Sequence, residues 1–435
     1  MPKGYRPYLP EQDLLLPPSL RDWLPEDHLA YFVSDVVDQL DLTAICAVYE
    51  RELRGQPPYD PRMMAKLLVY GYCVGVYSAR KIQQRLVEDV AFRVLAAGNE
   101  PDFRTISDFR KIHLKALESL FEQVLKIVLE TGAMKLGRVA LDGTKVKANA
   151  SKHKAMSYDR MKEQEKLIRA QVKEMLARAE ATDAEEDARY GKDKRCDELP
   201  AELQRRETRL KRIREAKKAV EERARQKAES EGKPAEEAKP DGKAQYNFTD
   251  PESRIMKSNE GFVQAYNAQI AVEPEFQLIV GQAVTQAPND KEQIVPMIET
   301  IEAQSGQRPE EILADSGYCS EKNLEHLESP ESPDRRIEAY IATGRQQHGQ
   351  HPVSPRGPLP KGATRVERMR RRLQTKAGEA IYAARKAIVE PVFGQIKQAR
   401  GFRRFSLRGL AKVRSEWAFV CLTHNILKLY RMCYA

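Results

Sequence analysis

The sequence predicts a mixed α/β layer with flanking helices, interrupted by a charged helical insertion and preceded by an all-α N-terminal domain. Three observations predict it. Short β-rich runs at 138–147, 265–272, 278–285, 311–314 and 339–342 alternate with helix-period segments. Residues 1–135 read as helical throughout. Residues 151–245 break the pattern with 26 Lys and Arg against 22 Asp and Glu, so half the segment is charged.

In the N-terminal part, 61–76 is apolar on most sides, and Ser78 is placed to cap a helix running to about residue 97. Gly98 and the Pro101-Asp102 pair end it. Thr105 or Ser107 then caps a long helix with Phe109, Ile112, Ala116, Leu120, Val124 and Ile127 on one face. Two helices across a short break fit a helix-turn-helix layout, which makes Arg104, Arg110 and Lys111 candidate DNA contacts.

Within 151–245, Met161, Ile168, Val172 and Met175, then Leu203, Leu210, Ile213 and Val220, recur at helical spacings. They predict two helices of a hairpin or short coiled coil, with loops at 181–200 and 229–245. Either side of this insertion, 265–272 and 278–285 alternate like a hairpin turning at Pro274-Glu275. A helix is expected over about 290–304, and the chain closes in helices at roughly 364–398 and 407–431. The division is therefore 1–135, a helical domain; 136–150 with 246–435, a mixed α/β layer; and 151–245, the insertion.

The net charge of +9 is unevenly spread. Residues 361–435 carry 18 Lys and Arg against four Glu, a net +14, and the rest of the chain is at −5. A basic C-terminal fifth on a slightly acidic body points to a local polyanion surface. Arg400, Arg403, Arg404 and Arg408, interleaved with Phe402 and Phe405, suit a DNA-backbone groove with stacking surfaces. His424 falls near an apolar face and reads as a core histidine. Six scattered cysteines without C-x-x-C predict neither a disulfide framework nor a zinc site. The longest uncharged apolar run, 67–77, is too short to span a bilayer. With no apolar signal segment, a cytoplasmic protein is expected. No G-x-x-x-x-G-K-[ST] occurs, so no nucleotide cofactor is expected.

Two acids occupy the same kind of position. Asp142 follows Val139-Ala140-Leu141 and precedes Gly143-Thr144; Asp315 follows Ile312-Leu313-Ala314 and precedes Ser316-Gly317-Tyr318. An acid at a strand's polar end, followed by small residues, projects into a cleft where backbone approach is close. Two on adjacent strands suit Mg²⁺, which takes one or two carboxylates and keeps several waters. A third acid, Glu390, sits in the basic region just before Pro391, where the helix is expected to kink or restart.

These residues resemble the DDE transposases of bacterial insertion sequences. Asp142 in LDGT, Asp315 in ADSGY, and Tyr382, Arg385, Glu390 and Lys397 in Y-x2-R-x4-E-x6-K carry the resemblance. That family's motif usually has three residues between Arg and Glu; Lys386 restores the spacing with a lysine. The segment 61–111 resembles the InsH-like N-terminal domain of the same transposases, and 401–409 (GFRRFSLRG) is also similar. The resemblance implies a retroviral-integrase-type, RNase H-like catalytic domain in which Asp142, Asp315 and Glu390 bind two Mg²⁺ or Mn²⁺ ions. It implies phosphate contacts by Arg385 and Lys397, with Tyr382 packing or hydrogen-bonding there. Partners would be double-stranded DNA, as the element's terminal inverted repeats and as target, and a second copy of the chain. An RNase H-like nuclease or resolvase, and a catalytically inactive DNA-binding relative, are the alternative readings.

Overall fold

The computed structural model describes residues 19–434, apart from 51–56, 131, 133, 135, 191–200, 231, 236–237, 259–260, 329–334 and 345–356. Seven helices come first: α1 (Leu29–Gln39), α2 (Thr43–Tyr49), α3 (Pro61–Cys73), α4 (Ala79–Glu88), α5 (Val90–Leu95), α6 (Phe103–Ile112) and α7 (Leu114–Glu130). Asp60 starts α3: its Oδ1 accepts from the Arg62 and Met63 amides, with Pro61 at the first helical position where no N–H is needed. As its all-round apolarity predicts, α3 is buried from Met63 to Cys73 apart from Lys66.

Several boundaries differ from expectation. The long helix expected from Thr105 or Ser107 onward is split at His113 into α6 and α7, which leaves Ile112 exposed, and the helix expected over 364–398 is broken at Gln374-Thr375. The helix expected over 78–97 is split at Asp89, whose backbone is extended and whose carboxylate caps Ala91 N–H at 3.0 Å. The cap of the next helix is Asp102, not Thr105 or Ser107; its Oδ1 accepts from the Arg104 and Thr105 amides at 2.6 and 2.8 Å. A carboxylate three residues ahead of Thr105 caps the orphan amides instead.

The sheet begins with β1 (Arg138–Lys147). The insertion then leaves through β2 (Ala155–Ser157), α8 (Tyr158–Tyr190), α9 (Ala201–Ser230) and β3 (Gln245–Asn247), with β2 and β3 paired antiparallel at its root. Tyr158, Met161, Ile168, Leu210, Ile213, Ala216 and Val220 form its own small core. Part of the expected tip loop is helix, since α8 reaches Tyr190; 191–200 lies outside the described residues. The chain resumes as β4 (Arg254–Ser258), β5 (Gly261–Val272), β6 (Ile279–Thr285), α10 (Ile294–Ser305), β7 (Glu311–Ala314), α11 (Glu321–Glu328) and β8 (Glu338–Ile341). It ends in α12 (Arg365–Leu373), α13 (Lys376–Gly394) and α14 (Leu410–Tyr434).

Across the sheet the order is β4-β5-β1-β7-β8, with β6 pairing β5 beyond β4 on the same edge. β1 lies antiparallel to β5 and parallel to β7, and β7 is parallel to β8. This is the mixed α/β layer read from the sequence. The β5–β6 turn is held by the buried Glu273, whose carboxylate accepts from the amides of Glu275, Phe276 and Leu278.

One hydrophobic core runs through the N-terminal helices, the sheet and α13–α14. Trp417 on α14 is fully buried at its centre, against Phe402 and Phe405, and its Nε1 donates to the Gln269 carbonyl on β5. The helix containing Pro391 does not restart after Glu390, contrary to expectation. α13 runs through Pro391, and the Ala387 carbonyl that proline leaves without its helical donor accepts from Gln277 Nε2 at 3.0 Å. The irregularity comes later, as a π-helical turn at Gln395–Ala399.

His424 is the expected core histidine, buried on α14 with Nε2 donating to the Gln277 carbonyl. Burial, reinforced by the Arg400 charge, pushes its pKa down to about 3. The unfolded chain therefore binds one more proton between that value and about 6.5. Stability present above pH 6.5 is lost as pH falls, by about 1.4 kcal/mol per unit. Urea unfolding at a series of pH values should show this dependence, and His424→Gln should flatten it.

Candidate active site

β1 and β7 pair with a constant offset, Val139 opposite Ile312 and Ala140 opposite Leu313. The same offset two residues on sets Asp142 level with Asp315. Asp315 follows the last residue of β7, as expected, but Asp142 lies mid-strand: β1 does not end there and stays paired to β5 as far as Lys147. Asp315 also caps the turn that follows, its Oδ1 accepting from Gly317 N–H at 2.8 Å. Asp142 Oδ1 accepts from Gly143 N–H at 2.8 Å, and its Oδ2 lies 3.3 Å from Arg385 Nη1. Burial pushes the Asp142 carboxyl up to about 6; Arg385 pulls it down, while Asp315 and Asp290 push it further up.

Asp290 is a third acid here, absent from the sequence reading. It lies in the polar 288–290 turn ahead of α10, so no apolar strand announces it. Its Oδ1 accepts from Asn267 Nδ2 at 2.6 Å and Gln269 Nε2 at 2.7 Å, with Lys145 Nζ at 3.6 Å. Asn267 and Gln269 alternate along one face of β5 and are buried, and two buried amides in an apolar strand were the legible sign of a polar site beneath. The Tyr318 hydroxyl donates to Gln269 Oε1, and Asn323 Nδ2 ties the Tyr318 and Lys291 carbonyls together. Gly143 makes room for this arrangement. A Cβ there would fall against Gln269 Nε2 and 2.7 Å from Asp290 Oδ1.

α13 covers the acids with its Arg385 face. Ile388, Val389 and Val392 are buried beside Arg385, and Tyr382 stacks 5.9 Å from the guanidinium. Arg385 Nε is buried without a hydrogen-bond partner among the described residues. Lys397 Nζ reaches Thr144 Oγ1 and the Lys145 carbonyl at the far end of β1. Glu390 is exposed on α13. Among the described residues, no three His, Cys, Asp or Glu side chains stand close enough to hold a metal ion. The predicted trio is thus a converged pair, Asp142 and Asp315, with Glu390 apart.

Lys145, Lys147, Lys257, Lys397 and Arg403 line a groove of about 420 Å³ that starts at Gly143, beside Asp142. Arg404 and Arg408 are exposed nearby, and Arg408 Nε donates to the Asn149 carbonyl. Arg400 does not belong to this surface. Its guanidinium is buried and donates to the Val420 carbonyl and Thr423 Oγ1, a core role that a charge-rich sequence conceals. Phe402 and Phe405 are likewise core residues, about 1% exposed, and offer no stacking surface. In the N-terminal region Arg104 and Lys111 are exposed, with Lys111 paired to Asp108. Arg110 instead turns inward and donates to the Tyr72 hydroxyl and the Tyr77 carbonyl. Tyr72 in turn donates to Glu416 of α14, so Arg110 ties the N-terminal helices to the core. No described helix is long and apolar enough to cross a membrane.

Comparison with known proteins found no match among curated proteins or solved structures. Two family models do match: a transposase domain over residues 18–112, and a transposase DDE domain over residues 234–426. The first spans α1 to α6; the second holds Asp290, Asp315 and Glu390, and begins within the last residues of the insertion, which separates it from β1 and Asp142. The chain thus matches two transposase domain models in this order, a pairing consistent with an insertion-sequence DDE transposase.

Proposed function

We propose that this transposase binds Mg²⁺ or Mn²⁺ at Asp142 and Asp315, with Glu390 as third acid, in an RNase H-like layer. There it cleaves duplex DNA at the element's terminal repeats and joins the freed ends to target DNA. The observation that carries the reading is the pair of aspartates set level on adjacent parallel strands, at the head of a basic groove. The donor set suits a hard cation: oxygen ligands only, from two carboxylates. Asp142 and Asp315 suffice for one ion; a second ion calls for another carboxylate. When bound, a divalent cation stabilises charge on the phosphoryl oxygens and activates the attacking hydroxyl.

The chain's own groups do the positioning. Arg385, with its Nε unsatisfied and its guanidinium beside Asp142, is placed to take a phosphate oxygen. Lys397 and Lys145 extend that grip along β1. Tyr382 limits the swing of Arg385. Joining two ends calls for two copies of the chain on DNA.

Duplexes carrying the terminal repeats, incubated with protein and Mg²⁺ or Mn²⁺, test the reading through cleaved and joined products. Asp142→Ala and Asp315→Ala should each lose both. Parent-like cleavage by these two variants would overturn the site. Glu390→Gln is expected to lose both products as well. If it cleaves normally while Asp290→Asn does not, the third acid is Asp290.

A further inference from the structure

In sequence the insertion is balanced in charge and gives no sign of a polyanion surface. The fold sorts those charges. Glu165, sunk between α8 and α9, takes Arg169, Arg214 and Lys217; Glu174 takes Arg178, and Glu202 takes Arg206. These three acids are thus paired along the hairpin. At its root, Lys154, Arg160, Arg209 and Arg212 are exposed and form no ion pair among the described residues. With His153 they line a groove of about 790 Å³ in which Glu215 is the single acid.

This groove is joined to the catalytic one by paired backbone. Lys147 bridges Arg404 in parallel, with Lys147 N–H donating to the Arg403 carbonyl and Phe405 N–H to the Lys147 carbonyl. Asn149 Nδ2 then donates to the Ser406 carbonyl, and Arg408 Nε to the Asn149 carbonyl. Exposed Arg403, Arg404 and Arg408 therefore flank the chain between the two grooves. From Lys147 to His153 is six residues, at most roughly 20 Å extended. That is about six base-pair steps of a duplex at 3.4 Å each.

We propose that the groove at the root of the insertion is a second DNA site, holding the phosphate backbone of the duplex that flanks the cleaved bond. The inference rests on the transposase reading of the acid pair and adds a contact set to it. A duplex is the occupant that fits, because its phosphates recur with a period that lets one rigid polyanion lie in both grooves at once. The contacts go to the backbone, so they position the substrate without reading its sequence.

The test is equilibrium binding of the full-length protein to a fluorescent mixed-sequence duplex of about three helical turns, at salt from about 50 to 200 mM. Arg160→Gln/Arg209→Gln/Arg212→Gln, all at exposed positions, should make the slope of log K against log salt shallower by about two to three. Glu215→Lys should steepen it by about one. Matching unfolding curves establish that the variants are folded. If the parent slope is steep and neither substitution changes it, the root groove carries no DNA and the proposal fails while the transposase reading stands. If the parent itself shows no salt-dependent binding, both fall together.

Discussion

Asp142→Asn should reduce DNA cleavage by ~10³-fold or more and leave DNA affinity equal or higher. The carboxylate sits midway along β1, level with Asp315, and on the proposed reading its loss takes away a cation ligand that water cannot replace in the same geometry. The several kcal/mol of transition-state stabilisation supplied by a bound cation, at about 1.4 kcal/mol per decade, sets that magnitude. Asparagine keeps the volume, so packing under Arg385 survives. Removing one negative charge beside a basic groove favours a polyanion, which makes binding rise or hold while catalysis falls. Measuring both on the same preparation separates this outcome from misfolding. A variant that cleaves within tenfold of the parent would show that Asp142 is not a ligand.

Trp417→Ala should cost about 3–5 kcal/mol of stability, the range for emptying a fully buried aromatic site. The indole packs against Phe402 and Phe405 and donates to the Gln269 carbonyl. Gln269 in turn holds Asp290 and accepts from Tyr318. The substitution should therefore loosen the floor of the acid site as well as the core. Urea unfolding followed by far-ultraviolet circular dichroism reads the first effect, and cleavage below the unfolding transition reads the second. Trp417→Phe keeps most of the apolar surface but leaves the Gln269 carbonyl without its donor, so it should fall between. If Trp417→Ala unfolds at the parent's urea midpoint, Trp417 does not anchor the core.

Strands β1, β7 and the β5–β6 hairpin were legible because buried β segments show as apolar runs bounded by turn residues. The two aspartates were legible for the same reason: each ends such a run. The arginines were not. Arg400, Arg403, Arg404 and Arg408 share one composition, yet Arg400 is spent on Val420 and Thr423 inside the core while the others face out. Sequence spacing carries no signal for which guanidinium finds buried carbonyls. The kink expected at Pro391 failed similarly, since Gln277, more than a hundred residues earlier, supplies the missing donor.

The sequence by itself determined the layer, the insertion, the transposase resemblance and the pair Asp142 and Asp315. These rest on local periodicity and on short motifs, which the chain carries wherever it folds. Only the tertiary structure decided that Asp290 comes near enough to Asp142 to raise its pKa, that Glu390 lies on an exposed face of α13, and that a charge-balanced insertion carries a basic groove at its root. Each of these depends on residues far apart in the chain becoming neighbours. Charge and hydrogen bonding act through space over a few ångströms, so their outcome is fixed by packing rather than by order.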